Sequence, residues 1–332
     1  MTVRLLSPVR RSPASSKALM LPLHPARHIG LAPYKALKGP RAKSGMRSVR
    51  IALAQIKPKI GDLEGNVRKI LQFVQRAKER GAQLVAFPEL ATAGYLSQGL
   101  FLEVAEAWGR WFKRLLEASR GITIIVGTVE EDQRGFLYNA ALVLARGQVV
   151  EGELEGGKKL PSYRKCYLPT YGMFEEARWF APGKHVPIFR LNGGEGSWAL
   201  AVIICEDLWQ PLPSRIAAMR GAQFICVIAS SPKTYKKPEI VEALLRARAI
   251  ENTVYMGYVN AVGSQDMVNF WGGSACVDAE GKVLAKAGLR EEELLVLDLD
   301  LYALRKHREL NPYLREERKE LIEDYLRAFQ AC

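Results

Sequence analysis

From about residue 48 onward, two kinds of segment alternate along the chain, and that alternation narrows the fold more than any other feature. "VRIALAQI" (49–56) is a short, nearly continuous apolar run, as expected of a strand covered on both faces. Residues 63–80 then place Val67, Ile70, Leu71, Val74 and Ala77 on one helical face, with Gly81 as the stop. "QLVAFPEL" (83–90) reads as a second strand, and 102–119 as a second helix carrying Val104, Trp108, Trp111, Phe112 and Leu115 at helical spacing. "ITIIVGTVEE" (122–131) and "LYNAALVLARG" (137–147) are strands joined by a Gly-containing turn. After a Gly-, Pro- and Tyr-rich segment (154–183), "SWALAVIIC" (197–205), "FICVIASS" (224–231) and "TVYMGYVNAVG" (253–263) read as strands, with helices over 213–220 and 237–251. A hairpin turns at Ala279–Lys282, and "ELLVLDLDL" (293–301) closes the sheet. Residues 302–330 read as a charged amphipathic helix broken at Pro312. Repeated strand–helix–strand units with terminal hairpins imply an α/β sandwich, its mixed sheets covered by helices. The expected layout is a disordered basic extension (1–47), one domain (48–300) and a C-terminal helical arm (301–332).

The formal charge is +13, which raises nucleic acid as a partner. Its placement argues against that. Residues 1–46 hold nine Arg and Lys and no acid, which leaves +4 on the remainder. That head is rich in Pro, Ser, Arg and Lys without periodicity, the composition of a disordered segment. It also resembles an organellar transit peptide in lacking acids, although Met46 stands just before the first strand. No apolar run approaches ~18 residues, so no membrane span is expected. Cys166, Cys205, Cys226, Cys276 and Cys332 are odd in number, scattered and without CxxC spacing. They imply a reducing cytoplasm and no metal site.

Chemistry in open α/β sheets gathers at the carboxyl ends of strands. Three reactive residues fall at strand ends or in a loop: Glu89 in "FPEL", Lys165 in "SYRKCYLP" and Cys205 in "ICEDLW". Glu206 and Asp207 directly behind Cys205 should hold its thiol protonated, so the thiol needs a base. No histidine is well placed, since His24 and His28 lie in the head and His185 and His307 lie outside these motifs. A buried carboxylate as base and an ammonium to offset the repulsion would together activate the cysteine. Glu206 and Asp207 are expected to point away and cap the helix starting near Pro213. Tyr163, Tyr167, Tyr171 and Trp209 could line a pocket, though core or dimer packing is the simpler reading of Trp209.

"FPEL", "YRKCYLPTYGMFEEARWF.PG" and "ICEDLW" closely resemble, in order and spacing, the three motif blocks of the nitrilase superfamily of carbon–nitrogen hydrolases. The resemblance covers residues 48–300. It implies a four-layer α-β-β-α sandwich, usually paired into dimers, and a Glu-Lys-Cys triad on Glu89, Lys165 and Cys205. The family's second glutamate matches Glu176. "KCYLPTYGMFEEARWF" and "YVNAVGSQD...F.GGS.CVDAEG" resemble most the glutaminase domain of glutamine-dependent NAD synthetases, which Tyr95 in "TAGY" also fits. The synthetase branch usually carries a further ATP-dependent domain. Its "NASP" reads "ASSP" here, Lys236-Lys237 stands where Gly-Lys is usual, and no arginine follows until Arg246. Ser231 and Lys237 are then the candidates to hold a substrate carboxylate, with Tyr95 and Tyr171 beside them.

The resemblance implies a cofactor-free amidase that cleaves a small non-peptide amide or ureido compound. Glu89 is the base, Cys205 forms a thioester, and Lys165 with the Glu206 backbone N–H holds the oxyanion. A glutaminase subunit feeding ammonia to a separate NAD synthetase would use the same residues. A non-catalytic scaffold or nucleic-acid binder acting through the basic tail is the reading from another class. A homodimer or higher even oligomer is expected.

Overall fold

The computed structural model describes residues 47–193, 196–234 and 236–331. The expected disordered extension, apart from Arg47, lies outside the described residues. The first half contributes β1 (Ser48–Gln55), α1 (Leu63–Glu79), β2 (Leu84–Ala86), α2 (Phe101–Glu106), α3 (Trp108–Ala118), β3 (Thr123–Glu131) and β4 (Leu137–Ala145). Short pieces follow: β5 (Gln148–Val149), β6 (Gly152–Glu153), β7 (Lys159–Leu160), β8 (Tyr163–Arg164) and the single turn α4 (Glu176–Trp179). The second half runs β9 (Phe189–Gly193), β10 (Gly196–Ile204), α5 (Pro211–Met219), β11 (Phe224–Ala229), α6 (Lys237–Asn252) and β12 (Tyr255–Asn260). It ends with β13 (Val262–Gln265), β14 (Val268–Trp271), β15 (Ala275–Val277), β16 (Val283–Lys286), β17 (Glu293–Asp300), α7 (Leu301–Leu310) and α8 (Lys319–Gln330).

Two mixed sheets form. The first has the order β17-β1-β2-β3-β4-β5, with β8 also on β4, and the second β16-β15-β12-β11-β10-β9. Each is built on three parallel strands. Ile51, Leu84 and Thr123 lie in register across β1–β2–β3, and Ile204, Ile228 and Val259 across β10–β11–β12. Alternate residues explain the continuous apolar runs. Val49, Ile51 and Leu53 pack toward the second sheet, while Ala52, Ala54 and Ile56 pack with α1 and α3. On the far side, Val241, Leu245 and Ala249 of α6 and Ala217 and Ala218 of α5 cover the second sheet. The layers are therefore α-β-β-α. Gly257 of β12 lets the sheets approach closely, because a Cβ there would come within 2.6 Å of Phe224 and 3.6 Å of Leu53.

Three expected elements differ. The helix over 102–119 is two helices, α2 and α3, broken at Ala107. The strand over 83–90 pairs only as far as β2 and a Phe87 N–H bond to Ile125, because Pro88 has no N–H to continue the ladder. The strand over 253–263 splits at Asn260. Its side chain accepts from Ser231 N–H at 2.8 Å and donates to Gly272 O at 2.9 Å, which turns the chain into a separate β13–β14 ribbon. At the C-terminus the helical stretch breaks around Pro312, as α7 ends at Leu310 and α8 starts at Lys319. Leu314 packs on the core, whereas Leu321, Tyr325 and Phe329 of α8 are exposed.

Candidate active site

The parallel strands of both sheets deliver side chains to one place. Glu89 follows β2 and is fully buried. Its loop presses so tightly on β3 that a Cβ on Gly127 would lie 2.4 Å from Pro88 O and 2.8 Å from Glu89 Cα, an approach only glycine permits. Three donors converge on the Glu89 carboxylate. Asn139 Nδ2 (2.8 Å) and Lys165 Nζ (2.7 Å) reach Oε1, and Ser230 N–H (2.8 Å) reaches Oε2. The Ser230 hydroxyl donates to Glu89 O at 2.8 Å. The end of β11 in the second sheet thus clamps the loop of the first.

Lys165 comes directly after β8. Its N–H donates to Asn139 O (2.9 Å) and its carbonyl accepts from Gly183 N–H (2.7 Å). Lys165 Nζ lies between Glu89 and Glu176 Oε1 (2.6 Å), with its side chain wholly buried. Burial opposes the ammonium charge, but Glu176 and Glu89 outweigh it and hold the lysine well above its usual range. Tyr95 Oη also donates to Glu176 Oε1, at 2.6 Å. Burial pushes Glu176 up to about 7, against the pull of Lys165.

Cys205 ends β10 with a left-handed backbone, φ 44°, an uncommon conformation for a side-chain-bearing residue and one that clusters at functional sites. Burial pushes its thiol well above the usual range and Glu89 adds to this, whereas Lys165 and Lys237 pull it down. Lys237 is itself buried, its Nζ 5.2 Å from the Phe174 ring centre and 6.0 Å from that of Trp209. Among the described residues it makes no ion pair. Trp209 packs against the core, as the simpler reading had it, with Lys237 near its ring.

Five of the expected site residues fall into one charged cluster: Glu89, Lys165, Glu176 and Tyr95 by hydrogen bonds, Cys205 by electrostatic coupling. Tyr171 is exposed and its hydroxyl contacts both Glu206 oxygens at 3.0 Å. Ser231 is buried, and its N–H is used by Asn260.

The expectation for Asp207 is overturned. It does not cap α5, which has no side-chain cap. Asp207 is buried and accepts from Ile204 N–H (2.9 Å), Tyr163 Oη (2.6 Å), Tyr167 N–H (2.9 Å) and Cys166 N–H (3.2 Å). It ties the Cys205 turn to the segment after Lys165. Its bond to Ile204 N–H caps the short 3₁₀ turn Cys205–Leu208 instead, and the Glu206 carboxylate meets Tyr171. The sequence reading also passed over Asn139, Ser230 and Gly127. Asn139 left a signal, an amide in the middle of the apolar strand "LYNAALVLA", which must find partners once buried.

Comparisons with known proteins point to one family. The family model described as carbon-nitrogen hydrolase matches residues 50–309. The glutamine-dependent NAD(+) synthetase of Thermotoga maritima is 35% identical over 262 residues, covering 77% of this chain and 43% of that protein. The chain thus spans less than half the length of that relative. Among solved structures, the glutamine-dependent NAD+ synthetase of Acinetobacter baumannii aligns with a TM-score of 0.68 at 29% identity, covering 78% of this chain and 47% of that one. A mutant of the amidase from Nesterenkonia sp. AN1 aligns with a TM-score of 0.69 at 31% identity, covering 86% and 98%. In that structure the acetamide moiety of fluoroacetamide is added covalently at the active site cysteine.

Proposed function

The chain belongs to the carbon–nitrogen hydrolase family, a family of enzymes acting on non-peptide carbon–nitrogen bonds, and from that premise we propose that it is an amidase working through a Cys205 thioester. Glu89 takes the thiol proton as the amide arrives, and the thiolate attacks the amide carbon. The developing oxyanion is held by the Lys165 ammonium and the Glu206 backbone N–H. Glu89 returns the proton to the leaving nitrogen, the carbon–nitrogen bond breaks, and ammonia departs. Glu89 then deprotonates a water, whose oxygen attacks the thioester. The acid leaves and the sulfur regains a proton from Glu89. Glu176 and Tyr95 keep Lys165 charged and in place. The observation that carries this reading is the buried Glu89–Lys165–Glu176 chain, with bonds of 2.7 and 2.6 Å, acting on the Cys205 thiol.

Lys237 suggests the substrate class. A buried cation without an ion pair among the described residues, beside the thiol and two aromatic rings, favours an amide whose acyl part carries a carboxylate. Glutamine has that chemistry. Because the Thermotoga relative is a glutamine-dependent synthetase of which this chain spans less than half, the second reading is a glutaminase subunit passing ammonia to a separate NAD synthetase. Exposed Leu212, Ile216 and Met219 on α5, with Leu321 and Phe329 on α8, support self-association into an even oligomer. Among the described residues Cys166, Cys205, Cys226 and Cys276 are free, which favours the cytoplasm. Among the described residues, no helix is long and apolar enough to cross a membrane.

The test is ammonia release from glutamine and from a panel of acidic and neutral amides, with intact-mass analysis of the quenched enzyme. An acyl adduct on Cys205 from a carboxylate-bearing amide is expected. Turnover by the Cys205→Ala protein would rule the covalent route out.

A further inference from the structure

A small cavity of about 30 Å³ lies against α4, lined among others by Glu176, Trp179, Phe101, Phe180 and Gln98. Two polar atoms at this wall are buried and have no hydrogen-bond partner among the described residues: Glu176 Oε2 and Trp179 Nε1. The other carboxylate oxygen, Oε1, is already committed to Lys165 and Tyr95. Glu176 and Trp179 stand three apart on one helical turn, so their side chains share a face. One atom only accepts and the other only donates. Leaving either one dry is costly, and more so for a carboxylate. The volume decides what can satisfy both. A water needs ~10–15 Å³ of such space, so the about 30 Å³ here is room for a water.

We propose that this cavity is a built site for a single water, which accepts from Trp179 Nε1–H and donates to Glu176 Oε2, and that Trp179 is thereby a positioning residue for the Glu176–Lys165 pair. The water bond stabilises the carboxylate form of Glu176 and fixes its plane, and so fixes the lysine that Oε1 holds. The groups acting on Glu176 are Lys165, Glu89 and Tyr95, and the exposed Glu175–Arg178 pair belongs to its own turn. Of these only Lys165 and Tyr95 reach the carboxylate, and both reach Oε1, so nothing else among them substitutes for the water at Oε2. Burial already raises the Glu176 carboxyl. Removing the indole N–H loosens the water and raises it further.

Two experiments decide this. A crystal structure of the wild-type protein at a resolution that shows ordered water is expected to place one water within hydrogen-bond distance of both atoms. A direct Trp179–Glu176 bond, or no water between them, overturns the site. This needs no variant and no activity, so it stands apart from the amidase reading. The second experiment rests on that reading. In Trp179→Phe, which keeps a ring but removes the donor, the acid limb of kcat/KM should move up by roughly 0.5–1 pH unit, the equivalent of one hydrogen bond. The plateau should change less. A water present in the wild type with an unmoved acid limb in the variant would overturn the positioning role. Absence of amide turnover altogether would instead count against the proposed function.

Discussion

The two sheets bring their side chains to the site in opposite ways. The first sheet supplies Glu89 and Lys165, both charged groups, and each is held by partners: Asn139 and, from the second sheet, Ser230 bond to Glu89, while Glu176, itself bonded by Tyr95, bonds to Lys165. The second supplies Cys205, whose thiol makes no hydrogen bond among the described residues and is aimed by a left-handed backbone. The contrast follows from desolvation. An ion taken out of water costs several kcal/mol unless paired and bonded, so its neighbours are prescribed. A neutral thiol is nearly a hydrophobe and needs only direction. Charge is therefore locked by side chains on one side, and geometry by main chain on the other.

The sharpest test of this asymmetry is to remove each side's key group. Cys205→Ala should lose amide turnover by at least about 10⁴-fold while melting within a few degrees of wild type, since it removes no ion. Lys165→Met should do both kinds of damage. Activity should fall ~10²–10³-fold, and denaturant unfolding should show a loss of about 3–5 kcal/mol, because two carboxylates are left buried without their cation. If the two variants were equally stable, the contrast between the sheets would fail.

Smaller effects test how the first sheet holds its carboxylate. Gly127→Ala forces a Cβ into the Pro88–Glu89 peptide. It should cost about 1–3 kcal/mol of stability and, by displacing Glu89, ~10²-fold in kcat/KM. Asn139→Ala removes one donor to Glu89 and should cost roughly 10-fold in kcat/KM, about one net hydrogen bond; an unchanged rate would show that Ser230 and Lys165 suffice. A further test concerns Asp207, where the second sheet does bury an acid. Burial raises it from 3.8 to about 6 despite its bonds. The folded state therefore keeps this proton where the unfolded chain has lost it. Its contribution is complete below pH ~4 and is lost as pH rises to about 6, up to about 3 kcal/mol in all. In Asp207→Asn, stability between pH 4 and 6 should be flatter with pH than in wild type, as read from urea midpoints.

Much of this was legible along the chain and some was not. Most strands and helices could be read because each depends on local pattern, apolar runs and helical spacing, and the proposed trio stood out by residue type at strand ends and by the resemblance of its motifs. The split at Asn260 escaped because it comes from a side chain bonding Ser231 and Gly272, which are remote in sequence. Asp207 was misread for the same kind of reason. Next to a cysteine and ahead of a helix it looks like a cap, and only the return of 163–167 past it makes it a buried clamp.

By itself, the order of residues determined most of the segments that become strands and helices and singled out three reactive side-chain types at strand ends and in a loop, since periodicity and chemical type are properties of neighbours on the chain. Only the tertiary structure decided the burial and pairing of those side chains, the approach at Gly127 and the wall shared by Glu176 and Trp179. Burial, close contact and Coulomb attraction act across space, between groups up to 141 residues apart in the Ser230–Glu89 bond.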